Sequence, residues 1–251
     1  MAKSSKQPAA RSRGRSVPKR SLLPFYLGLG LLTILGLTWV LTNSLKKDTV
    51  TPPASVPARP AIAYAVGKTA EGFWYKGDPN APVKVVEYAD FECPACSTLE
   101  TELARSNFDQ KFVETGKVQY IYREFPLTRI HKSATLTSEV SRCAGDQNVY
   151  WPVHYALFDT QKQWAGKGNA RDVILSVAAG AGADRAKIEA CLDSQSYTAA
   201  INASEAETIK RGIGSTPTVF VNDKEVEFVS DFATTLENAV NNALGASGAS
   251  Q

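Results

Sequence analysis

The chain has 251 residues, 43% hydrophobic and 21% charged, with 17 Gly, 13 Pro and 4 Cys. This composition excludes a fully disordered chain, a collagen and a disulfide-dense mini-protein, and allows one domain with appendages or at most two. The net charge of +3 hides an asymmetry, because residues 1–21 hold seven basic side chains and no acid. Without those seven, 21 basic face 25 acidic side chains, so the body has no basic surplus and no nucleic-acid partner is expected.

Residues 22–45 carry no charge, a run long enough for a transmembrane helix, with Pro24 in the first turn and Trp39 near the far end. The run is too long for the apolar region of a signal peptide, and Thr42-Asn43-Ser44 is a poor cleavage site, so an uncleaved anchor is expected. The basic excess before the span places residues 1–21 in the cytoplasm and the rest outside it. The expected location is therefore single-pass in the cytoplasmic membrane, with the C-terminal domain on the periplasmic side. Residues 46–71, with Pro52, Pro53, Pro57 and Pro60, read as a linker. A domain over 72–245 and a short tail, 246–251, follow.

Phe73, Trp74 and Tyr75 are expected to pack just before the first strand, which is read over 83–90 after the turn cluster Asp78-Pro-Asn-Ala-Pro82. A helix is read from Cys93 to about Thr115, stopped by Gly116, and a second strand over 118–125. Strand, helix and strand at this spacing make a parallel βαβ unit. A helical insertion, about 127–212, then carries segments near 130–144, 150–163, 170–180, 184–192 and 194–211, with breaks at glycines such as Gly145 and Gly166. Tyr150, Trp151, Tyr155 and Phe158 read as its core, and His131 and His154 as packing or surface residues. A hairpin over 218–222 and 225–229 and a helix over 231–244, capped by Asp231, complete an α/β order of β-α-β, helical block, β-β-α.

Cys93-Pro94-Ala95-Cys96 stands between the first strand and its helix. At a helix N-terminus the unsatisfied N–H groups and the macrodipole favour an anion, so Cys93 is expected as a reactive thiolate. Cys96, one turn on, can close a disulfide with it, and Pro94 loses nothing by lacking an N–H there. C-x-x-C also fits half a zinc or copper site, and a metallochaperone remains the alternative. The remaining Cys143 and Cys191 lie 48 residues apart, and His131 and His154 stand singly, so no second ligand pair is visible. A non-catalytic peptide-binding domain is a further alternative.

Together, Val85-Val-Glu-Tyr-Ala-Asp-Phe-Glu-Cys-Pro-Ala-Cys96, Arg142-Cys-Ala with Tyr150-Trp151, and Gly214-Ser-Thr-Pro-Thr-Val-Phe-Val221 resemble the DsbA-like branch of the thioredoxin superfamily. The resemblance covers about residues 72–244. It implies a thioredoxin-like fold with a helical insertion and a cis Thr216–Pro217 bond facing the cysteine pair. It implies that Thr216 and Pro217 hold substrate backbone beside Cys93, and that Glu87 is a buried acid relaying protons to Cys96. The implied activity is thiol–disulfide exchange on exported proteins, with a membrane redox partner, a quinone-linked oxidase or a reductase, recycling the pair. No flavin or nucleotide motif is present, so no cofactor beyond the two cysteines is expected. Direction stays open. Oxidising members often place His before the second cysteine, where this chain has Ala95, and Glu92 is expected to raise the Cys93 pKa if it lies close. Outside the cytoplasm an even cysteine count favours pairing, so a structural Cys143–Cys191 disulfide is expected.

Overall fold

A computed structural model describes residues 30, 32–39, 63–229 and 231–248. Two compact units divide the chain near residue 49. In the first, the described residues are helical, and 32–39 are exposed. They are the described part of the expected span over 22–45; the rest of it, the basic tail and residues 46–62 lie outside the described residues. Among the described residues no helix is long and apolar enough to cross a membrane.

The second unit is built on six strands: β1 (Val66–Lys68), β2 (Trp74–Lys76), β3 (Val83–Ala89), β4 (Val118–Glu124), β5 (Thr218–Val221) and β6 (Lys224–Glu225). They are ordered β1-β2-β4-β3-β5-β6. β3 and β4 pair in parallel from Val83↔Val118 to Ala89↔Glu124, and β5 pairs antiparallel to β3 through Val85↔Val221. A parallel pair needs a crossover. Helix α1 (Pro94–Arg105) supplies it, followed by a π-helical turn over Asp109–Val113. Cys96, Leu99 and Leu103, at helical spacing, form the buried stripe of α1.

The expected single helix to Thr115 is interrupted. Asn107 takes a left-handed φ of 58°, a conformation Asn tolerates, and the chain restarts so that Phe108 and Phe112 enter the core. Two further readings change at the N-terminal edge. Val66–Lys68, expected as linker, is a strand, and Trp74–Lys76, expected to precede the first strand, is a strand that pairs with β4.

The insertion comprises α2 (Ala134–Gly145), α3 (Tyr150–Asp159), α4 (Gln161–Trp164), α5 (Ala170–Gly180), α6 (Arg185–Asp193) and α7 (Thr198–Lys210). Tyr150, Trp151, Tyr155 and Phe158 are buried in it. Gly145 ends α2 for a packing reason besides: the Trp74 indole stacks on Tyr150 at 4.9 Å, and a Cβ on Gly145 would fall 2.2 Å from Trp74 Cζ2. Cys143 on α2 and Cys191 on α6 are disulfide-bonded, with a Cα–Cα distance of 6.0 Å. The β5–β6 hairpin turns at Asn222 and Asp223, both at positive φ (45° and 66°), as a two-residue turn of the favoured hand requires. Its second strand is only Lys224–Glu225, shorter than the expected 225–229; Val226 still donates its N–H to Val219, but Val229 is exposed.

The closing helix α8 (Phe232–Gly248) packs on α1. Asp231 accepts the Thr234 N–H at 2.8 Å, and Glu102 of α1 accepts the Phe232 N–H at 2.6 Å, so two carboxylates satisfy its first turn.

Two stability outcomes follow. Replacing Cys143 and Cys191 by Ser releases a 48-residue separation and lowers unfolding free energy by about 2–4 kcal/mol in urea titrations. Gly145→Ala forces the Trp74 indole out of its seat and costs about 1–3 kcal/mol by the same measurement.

Candidate active site

β3 ends at Ala89, and Asp90-Phe91-Glu92 carry the chain to α1. Cys93 is the N-cap residue, extended at φ −72° and ψ 123°, and Pro94 occupies the first helical turn. The opposing loop brings the cis Thr216–Pro217 peptide alongside, with Cys93 Sγ 3.4 Å from the Thr216 carbonyl oxygen. Pro94 is exposed and Ala95 half-buried. Cys93 and Cys96 are free thiols in this structure.

The two sulfurs are electrostatically unlike. Cys93 retains 6% exposure and Cys96 none. The Cys93 pKa is pulled down from 9.0 to about 5: the Cys96 thiol donates to it, outweighing partial burial, and Thr216 and the Ala95 and Cys96 backbone N–H groups add to the effect. Ala95 has no polar side chain to offer and takes part through its backbone. Burial, the Cys93 hydrogen bond and the Cys93 charge push Cys96 well above its ordinary value.

Glu87 projects from β3 toward the same core and is 2% exposed. Tyr120 Oη on β4 donates to Glu87 Oε2 at 2.7 Å. Burial outweighs that bond and raises the carboxyl from 4.5 to about 8, and the charges of Glu87 and Cys96 act on one another. Glu87 is therefore a buried carboxyl whose proton is held well above the ordinary carboxyl range, and its charge adds to what raises Cys96.

Glu92 lies next to Cys93 in sequence but spends its carboxylate elsewhere. It accepts the Ser133 N–H at 2.6 Å and the Gly166 N–H at 2.9 Å. The insertion claims this side chain as a clamp.

Three positioning groups escaped the sequence reading. Gln161 Nε2 donates to the carbonyls of Phe91 and Cys93 at 2.7 and 2.9 Å, holding the loop from the side of the insertion. Asp90, fully buried, accepts the Glu92 and Leu127 N–H groups and meets His131 Nδ1 at 2.7 Å. His131 is thus a loop anchor. Tyr120 is the third. His154 is wholly buried, 3.5 Å from Glu100 and ringed by Phe91, Tyr122 and Phe158. Only pairwise contacts across distant segments reveal these roles; a lone Gln or Tyr carries no spacing signal. Among the described residues no three or more His, Cys, Asp or Glu are grouped to hold a metal ion.

Fold and site together define a thioredoxin-like protein: a mixed sheet, a cysteine pair opening the first crossover helix, and a cis-proline beside it. A thioredoxin family model matches residues 69–241, and the chain belongs to that family. It is 27% identical over 167 residues to disulfide bond formation protein D of Bacillus subtilis, covering 62% of this chain and 70% of that one. A stretch of 88 residues is 36% identical to the Na(+)/H(+) antiporter NhaA 3 of Salinispora tropica; this spans 35% of the chain and only 13% of the antiporter. The crystal structure of α-DsbA1 from Wolbachia pipientis superposes with a TM-score of 0.61 at 23% identity, over 70% of this chain and 92% of that one, a likeness of fold.

Two titrations test the electrostatics. Alkylation of Cys93 in the reduced protein becomes half-maximal near pH 5, and Cys96→Ala moves that midpoint upward, because the main stabilising donor is lost. Glu87 binds a proton in the folded state that the unfolded chain has released. Its contribution to stability is thus full below pH 4.5 and is lost as pH rises toward 8. Glu87→Gln removes this loss, so the stability difference between variant and parent grows from pH 5 to pH 8 in denaturant titrations.

Proposed function

We propose that this protein is a membrane-tethered thiol–disulfide oxidoreductase acting outside the cytoplasm on exported proteins, through Cys93 and Cys96. The observation that carries the reading is the inequality of the two sulfurs: one at the helix N-terminus, slightly exposed and with its pKa drawn down, the other wholly buried and with its pKa pushed up. Thiol–disulfide exchange needs this difference, since the accessible sulfur must be attacked and must leave easily.

In the oxidising direction a substrate thiolate attacks Cys93 Sγ in the Cys93–Cys96 disulfide. The sulfur–sulfur bond breaks, Cys96 leaves as a thiolate and takes a proton from Glu87. A second substrate thiolate then attacks the substrate sulfur of the mixed disulfide. Cys93 leaves as the thiolate its surroundings stabilise, and two electrons have passed from the substrate to the cysteine pair. Thr216 and Pro217 hold the substrate backbone beside Cys93 meanwhile. A membrane redox partner removes the two electrons and restores the disulfide.

The lowered Cys93 pKa favours disulfide donation, because stabilising the thiolate stabilises the reduced enzyme and makes the disulfide the stronger oxidant. The name of the Bacillus subtilis relative supports the same chemistry. The tether rests on the uncharged run over 22–45 and the basic residues before it.

Equilibration with glutathione buffers, read by alkylation and mass spectrometry, tests the reading. The expected potential lies nearer about −120 mV than about −270 mV, the oxidising and reducing ends of the family scale, and Cys93→Ser abolishes exchange. A value at the reducing end reverses the direction. Full activity in Cys93→Ser removes the proposal.

A further inference from the structure

The sheet has a second face with chemistry of its own. Alternation along the strands sends Val85, Glu87, Tyr120 and Tyr122 toward the cysteine pair, and Val86, Tyr88, Ile121, Arg123 and Phe220 the other way. Val86 is registered against Ile121 on one side and Phe220 on the other, an apolar row across the three central strands. This row opens into a cavity of about 510 Å³, within the range of small-molecule sites.

One end of the cavity is cationic. The Arg123 guanidinium lies 3.9 Å from the Phe73 ring centroid and 5.2 Å from that of Tyr88. Its Nε is buried without a hydrogen-bond partner, and it forms no ion pair among the described residues. A guanidinium half removed from water and left unpaired is costly, and an anion in the cavity would offset that cost. Arg211 stands beside it, Nη1 3.4 Å from Tyr88 Oη, while its Nε is held by Glu207 at 3.0 Å. Lys84 also lines the cavity. Glu71 and Asp223 line it too, which disfavours a doubly charged phosphate and favours a single carboxylate.

We propose that this cavity binds a small apolar molecule bearing one carboxylate, with the carboxylate on Arg123 and Arg211 and the apolar body on Val86, Ile121 and Phe220. The planar guanidinium matches a carboxylate in two parallel hydrogen bonds. The site faces away from Cys93 and is independent of the redox reading.

Titration calorimetry on the full-length chain in non-ionic detergent, with detergent alone as the blank, tests this with 4-phenylbutyrate and its neutral amide as probes. Saturable one-to-one binding of the acid is expected, with the amide at least tenfold weaker. Arg123→Gln weakens the acid by about tenfold and leaves the amide unchanged. Arg211→Gln, an exposed position, weakens the acid several-fold and serves if Arg123→Gln fails to fold. Absence of saturable binding overturns the proposal. So does equal affinity for acid and amide, or an acid affinity that neither variant changes.

Discussion

The placement of Cys93 at the junction of β3 and α1 is the constraint on which the rest of the site depends. A residue at this position is the last extended one before a helix, so its side chain meets backbone N–H groups that have no helical acceptor. A sulfur there is drawn toward the thiolate. One turn later, Cys96 points into the core between β3, β4 and α1, where the charged form is penalised. The same four-residue segment thus yields two opposite acidities because the Cys96 thiol and then the helix-end N–H groups donate to Cys93, while Cys96 itself is buried on the helix flank.

Holding that junction in place is the work of the insertion. Gln161 pins the Phe91 and Cys93 carbonyls, Glu92 grips Ser133 and Gly166, and Asp90 gathers Leu127 and His131. Each is a side chain satisfying backbone groups that a loop would otherwise leave buried and unpaired. The Cys143–Cys191 bond joins two insertion helices and limits the ways the clamp can open. The helical block therefore belongs to the active site mechanically although it contributes no reacting atom.

Beneath the sulfurs, Glu87 and Tyr120 form a buried acid–phenol pair on adjacent parallel strands. Burial makes the carboxyl weakly acidic, and its proximity to Cys96 makes each group's charge a cost to the other. The opposite face of the same strands, one residue out of phase, turns Val86, Ile121 and Arg123 to a separate cavity. A two-residue period thus gives the sheet two independent chemical surfaces.

By itself, the sequence determined the βαβ core, the helical block, the hairpin, the Asp231 cap and the cysteine pair at a helix start. These depend on local signals: β-branched runs, helical spacing, turn residues and a cap. It misread β1 and β2, because three-residue strands carry too few residues for a period and exist only by pairing, β2 with β4 and β1 with β2. It ran α1 to Thr115, because the periodicity of Phe108 and Phe112 survives the break at Asn107. The direction of Glu92, the loop-pinning role of Gln161 and the Glu87–Tyr120 bond were decided only in three dimensions. Each joins residues whose separation in sequence is set by the intervening elements, and hydrogen bonding and burial act on distance in space.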